Sequence, residues 1–197
     1  MDNAILITGF NGEIGRQTLL ALSKKEVLVI ALDINSPHIK YDNVIYIKDS
    51  ILNKDVMKSI FNDYNIIEVY HFAALLSQSA NNNPKLAHEV NEEGSKLIIQ
   101  SAINHGIKHK SFVRIFFPSS IAVYGPRKLK DAKEYDIIKP QTIYGCNKLA
   151  IEQFGTQKYE ESIQLGFGID FRCLRFPGII SPYTIPSGGT TDFAPQM

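Results

Sequence analysis

The chain has 197 residues, 44% of them hydrophobic and 21% charged, with a net charge of +1. That is enough chain for one substantial core, and too much apolar content for a disordered segment. A near-neutral balance supplies no global field for nucleic acid or an anionic membrane surface, and no apolar run reaches membrane-spanning length.

Short β-branched runs alternate with longer amphipathic stretches. AILITGF (4–10) reads as a buried strand, followed by a helix from about Glu13 to Lys24. VLVIALD (27–33) and VIYIK (44–48) are the second and third strands, and DVMKSIFNDY (55–64) has its apolar residues at helical spacing. EVYHFAA (68–74) returns to strand, and NNN at 81–83 marks a polar loop. Residues 83–106 form a long helix, with Pro84 in its first turn and Gly106 as its C-terminal cap. FVRIFFPSS (112–120) is a fifth strand, 147–161 a helix, and DFRCLRFPG (170–178) a sixth strand. Strands alternating with helices predict an α/β doubly wound parallel sheet, a Rossmann fold with strand order 3-2-1-4-5-6.

Two basic clusters, HGIKHK (105–110) and RKLKDAK (127–133), fall where a turn or loop is expected and read as solvated surface. Cys146 and Cys173 form neither a CxxC pair nor a metal-ligand spacing, so no metal site is expected. Both read as reduced thiols of a cytoplasmic protein, since MDNAILITG has no basic n-region and is not a secretory leader.

The first chemistry lies in TGFNGEIG (8–15), between the first strand and the first helix. Gly9 allows the tight turn, Gly12 lets backbone approach a pyrophosphate, and Gly15 permits close packing of helix on sheet. Asn11, Glu13 and Ile14, between the glycines, belong to the same cofactor-binding set. Asp33 ends the second strand, placed to accept hydrogen bonds from the adenosine ribose hydroxyls. No arginine follows it directly in DINSPH, so NAD is favoured over NADP.

The spacing TGxxGxxG resembles the short-chain dehydrogenase family, particularly its extended, epimerase-like branch. HFAA (71–74), Asn91 and Gly94 as NxxG, SSIAVYG (119–125), YGCNK (144–148) and RFPG (175–178) match that branch in order. The resemblance implies cofactor contacts at His71, Ala73, Ala74, Asn91 and Ile179, and at Asp49 or Ser50, between which the alignment stays open. It also implies catalysis by Ser120, Tyr144 and Lys148, with Ser119 as the alternative serine. Tyr144 and Lys148, four apart, share one helix face. A nearby ammonium and a positive nicotinamide ring are expected to lower the phenol's pKa, so that Tyr144 takes a hydroxyl proton as hydride leaves for NAD.

AALLS (73–77), VYGP (123–126), PQTIYG (140–145), FRCLRFPGIIS (171–181) and GGTTDF (188–193) further resemble the short-chain type of L-threonine 3-dehydrogenases. That resemblance implies NAD-dependent oxidation of L-threonine to 2-amino-3-oxobutanoate, with Ser77, Gly189 and Thr191 holding the amino acid. The chain departs from the pattern at Ala80 and Asn81, and in a longer SIQLGFGI (162–169). Family members continue past GGTTD into a lobe that closes over the substrate. The expected organisation is an NAD-binding domain over 1–197, with 181–197 the start of a truncated substrate region. The expected activity is impaired. A non-catalytic NAD-binding remnant and a nucleotide-sugar epimerase or dehydratase are the alternatives. The expected partner is a small-molecule substrate, with no nucleic acid or membrane, and a homodimer is left open.

Overall fold

The computed structural model describes residues 3–126, 133–134 and 138–179. Six parallel strands form one sheet in the order β3-β2-β1-β4-β5-β6, as the alternation of strand and helix predicts. They are β1 (Asn3–Thr8), β2 (Leu28–Asp33), β3 (Val44–Lys48), β4 (Asn65–His71), β5 (Phe112–Ser120) and β6 (Gly168–Phe176).

Strand side chains alternate between faces, so each central strand feeds two cores. Ile5 and Ile7 of β1 and Val29 and Ala31 of β2 pack with Leu19 and Leu22 of helix α1 (Glu13–Leu22). Ala4, Leu6, Ile30 and Leu32 point the other way and join the larger cluster. There they meet Met57 and Ile60 of α2 (Lys54–Asp63) and Ile98, Ile99 and Ala102 of α5 (Ser95–His109). Ile151 of α6 (Ile143–Leu165) closes this layer over β5 and β6.

Several local expectations give way to packing. Asn81 and Asn82, expected in a polar loop, end a short helix α3 (Ser77–Asn82). The long helix is interrupted: α4 (Pro84–His88) passes through a π turn at Glu89–Gly94 before α5. Gly106 is not its cap. The helix runs on to His109 and ends at Lys110 in the left-handed region, φ 50°. Gly106 is buried because β6 begins against it; a Cβ there would lie 2.8 Å from the Ser111 carbonyl oxygen. The cluster at 105–110 is therefore mostly the end of a helix, with His105 buried against the Phe61 carbonyl at 2.9 Å. Of the second basic cluster, 127–132 lies outside the described residues. Helix α6 starts at Ile143, four residues earlier than expected, because Thr142 caps it by accepting from the Gly145 amide at 3.0 Å.

Candidate functional site

The carboxyl ends of β1, β2, β4 and β5 converge where the strand order reverses, the usual crevice for ligands in such sheets. At its floor, Gly9 leaves β1 with φ 69° and donates to the Leu32 carbonyl at 2.9 Å. A Cβ on Gly9 would lie 2.5 Å from the Ala73 nitrogen, so only glycine lets the exit of β4 pass this closely. Gly15 is buried, and a Cβ there would lie 2.8 Å from the Phe10 Cα, so it seats α1 on the turn. Helix α1 begins after Gly12 with no side chain capping its first amides, and Gly12 is exposed. An open, glycine-lined helix N-terminus of this kind fits a pyrophosphate. Asn11, Glu13 and Ile14 flank it, half-buried, and one Glu13 carboxylate oxygen is buried without a partner.

Asp33 is buried at the end of β2. Its carboxylate accepts from the Asn11 amide at 3.0 Å and the Asn35 amide at 2.9 Å, joining the glycine turn to the β2 exit. Each carboxylate oxygen keeps acceptor capacity for a ribose hydroxyl. Asp49 follows β3 directly, and its amide donates to the Asp33 carbonyl at 3.0 Å. Its carboxylate accepts from the Ser50 amide at 2.7 Å, so the two candidates form one bend beside Asp33.

His71, at the end of β4, is 2% exposed and has both nitrogens occupied by protein. Ser95 Oγ donates to the Asn91 carbonyl at 2.7 Å and so accepts from His71 Nε2 at 2.8 Å. That leaves Nδ1 to accept from the Thr8 hydroxyl at 2.7 Å. The ring is therefore neutral, and burial, with Lys148 nearby, pushes its pKa down to about 3. Thr8 in turn accepts from the Ala73 amide at 3.4 Å. His71 thus connects to the glycine turn through Thr8.

The π turn buries Asn91, whose amide pairs with both backbone groups of Leu75, accepting at 2.7 Å and donating at 3.0 Å. This pins the extended segment carrying Ala73 and Ala74, both half-buried, and leads into Ser77 at the start of α3. Asn147 of α6 donates to Glu92 at 2.6 Å, tying the same turn to the helix of Tyr144 and Lys148.

Lys148 is 4% exposed, donates to the Pro118 carbonyl at 2.7 Å, and stands 4.5 Å over the Phe117 ring and 5.5 Å from that of Tyr144. Burial pulls its pKa down to about 8, opposed by Cys173 and Glu152. Lys148 by itself does not lower the Tyr144 pKa. Burial alone pushes that phenol up to about 12, and the ammonium does not offset it. Ser120 is half-buried at the end of β5, its Oγ accepting from the Ala122 amide at 3.1 Å. Ser119 is 2% exposed with an unpartnered hydroxyl, and the strand alternation sends it to the opposite face from Ser120.

Ile179 is exposed just beyond β6, while Gly189, Thr191 and the whole of 181–197 lie outside the described residues. Sequence reasoning missed Asn147, Glu152 and Arg175. Arg175, in the RFPG stretch, holds Glu152 through Nη2 at 2.7 Å and Nε at 3.0 Å. A glutamate four residues after Lys148 was the available signal. Among the described residues, no cluster of His, Cys, Asp and Glu is arranged to hold a metal ion.

A doubly wound sheet with an uncapped glycine turn and an acid closing β2 defines a dinucleotide-binding fold. The family model described as NAD dependent epimerase/dehydratase family matches residues 5–197, and the chain belongs to that family. The cofactor of that family is NAD.

The chain is 35% identical to the Bos taurus protein named L-threonine 3-dehydrogenase, mitochondrial, over 98% of this chain and 50% of that protein. It is similar to the solved structure of a monomeric L-threonine 3-dehydrogenase from a metagenome in apo form, with a TM-score of 0.84 and 34% identity. That match covers 98% of this chain and 59% of the other. A GalE-like L-threonine dehydrogenase from Cupriavidus necator in holo form gives a TM-score of 0.83 at 30% identity, over 97% and 59%. The chain spans about half the length of the curated relatives it matches.

Proposed function

We propose that the chain is the NAD-binding and proton-transferring part of an L-threonine 3-dehydrogenase, oxidising L-threonine to 2-amino-3-oxobutanoate. The carrying observation is Tyr144 packed beside a buried Lys148 at the carboxyl ends of the strands, in a chain whose similar proteins bear that name. Gly9, Gly12, Gly15 and Asp33 hold the cofactor, with Asp49, Ser50, Ala73, Ala74 and Ile179 around it. NAD, when bound, supplies the hydride acceptor and a positively charged ring. Ser120 orients the substrate hydroxyl, and Tyr144 receives its proton as the C–H bond to the same carbon breaks. Burial raises the Tyr144 phenol to about 12, and a positive ring beside it would favour the phenolate. Ser77, at the start of α3, holds the amino acid together with Gly189 and Thr191 of the substrate region that begins near residue 181. Among the described residues no helix is long and apolar enough to cross a membrane; the proposed cytoplasmic location rests on the sequence reading of its two cysteines as reduced thiols.

The test is NADH formation by the purified chain with NAD and saturating L-threonine, with UDP-sugars assayed alongside. Threonine-dependent turnover that disappears in Tyr144→Phe, while NADH binding stays within about twofold, is expected. Undiminished turnover in Tyr144→Phe removes the base assignment. Conversion of UDP-sugars in place of threonine transfers the site to epimerase chemistry, and NAD binding without any turnover leaves a nucleotide-binding module.

A further inference from the structure

We propose that Arg175 is a positioning residue for this site: its guanidinium fastens the Tyr144–Lys148 helix to the turn that follows Ser120. The proposal rests on the reading of Ser120, Tyr144 and Lys148 as the reacting set. Arg175 lies on β6, paired in register with Ser119 of β5. Its Nε and Nη2 form a fork on Glu152, at 3.0 and 2.7 Å, and Glu152 stands one turn beyond Lys148 on α6. Its Nη1 donates to Tyr124 Oη at 2.9 Å and to the Glu134 carbonyl at 3.1 Å. The guanidinium also lies 4.9 Å over the Tyr124 ring, and Tyr124 ends the short helical turn (Ile121–Tyr124) entered from Ser120. One planar group therefore touches the helix of Tyr144, the turn of Ser120 and the segment at 133–134.

Stability alone does not call for this arrangement. The ion pair is mostly buried, with side chains 19% and 9% exposed, and apolar residues of similar volume generally serve a core as well or better. What the pair supplies is direction. A guanidinium presents donors in a fixed plane, so holding a carboxylate and a phenol together fixes the distance between their elements, whereas a lysine makes only a point contact. The helix and the turn already meet closely: a Cβ on Gly145, next to Tyr144, would lie 2.6 Å from the Ala122 carbonyl oxygen. A small slide of α6 along that contact changes the approach of Tyr144 to whatever Ser120 holds, and sub-ångström placement governs such proton transfers.

The test uses Arg175→Lys, which keeps the charge and removes the fork, and Tyr124→Phe, which removes only the hydroxyl. Both are made in the whole chain with isotope-labelled tyrosine rings, loaded with NADH, and followed by NMR and by threonine turnover. In Arg175→Lys the Tyr144 resonance is expected to shift together with that of Tyr124, while Tyr70 stays in place. Turnover is expected to fall about tenfold or more through kcat, with NADH affinity changed by less than about twofold. Tyr124→Phe should displace the Tyr144 resonance in the same direction by less. If Tyr144 keeps its resonance in both variants, Arg175 only packs its own neighbours and the proposal is wrong. Should the parent chain not turn over threonine, the dehydrogenase reading fails, yet the Tyr144 resonance still decides the role of Arg175.

Discussion

Lowering the pH isolates His71, because only its neutral ring can accept from Thr8 while donating to Ser95. Burial, with a smaller contribution from Lys148, holds its folded pKa near 3, against an ordinary value of 6.5. In an unfolded chain the same ring takes up a proton near its ordinary value. Between the two values the unfolded state therefore binds more protons, and stability falls as pH falls. From about pH 7.5 to about pH 5 this one group removes about 2 kcal/mol of folding stability. Urea unfolding of the parent and of His71→Gln at both pH values measures it. Other titrating groups cancel in the difference between the two proteins, provided they lie away from the substitution. The parent should lose about 2 kcal/mol more than the variant on acidification. Equal losses would mean that His71 is protonated in the fold or that its ring is solvated, and the hydrogen-bond chain from Ala73 to Asn91 would be wrong.

Asp33→Ala should weaken NAD binding by about tenfold or more, since it removes a charge-assisted acceptor and frees the Asn11 amide; titration with NAD and NADP checks this, and the parent should prefer NAD. Gly106→Ala drives a methyl into the backbone at Ser111 and Gly168 and should cost about 1–3 kcal/mol, read as a drop in Tm; an unchanged Tm refutes the close approach of β6. For Lys148, whose folded pKa is about 8, the unfolded chain holds a proton that the fold has lost from there up to the ordinary value of 10.5. Its contribution to stability therefore rises with pH across that window, and Lys148→Met should remove the rise in denaturation curves compared at matched pH values.

The repeating pattern of the chain carried the architecture. Alternation of short β-branched runs with amphipathic helices led to a six-stranded parallel sheet in the order found, because side-chain periodicity is local and survives in any sequence that must bury both faces. The glycine turn was legible for a similar reason: a positive φ at Gly9 and an uncapped helix start leave a mark on neighbouring residues. What the sequence could not carry is partnership across the chain. Gly106 looked like a helix cap because no local feature announces that β6 starts against it. The partners of the His71 ring, Thr8 and Ser95, lie 63 and 24 residues away and leave no local mark. Arg175 and Glu152 find each other only when β6 comes to lie beside β5 under α6. The lowering of the Tyr144 pKa expected from Lys148 and a positive nicotinamide ring does not come from Lys148 alone: burial, which belongs to the whole fold, sends the phenol up to about 12. Periodicity and turn chemistry are set by residues a few positions apart, whereas hydrogen-bond partners, desolvation and charge are set by distances in space, which only the packed sheet fixes.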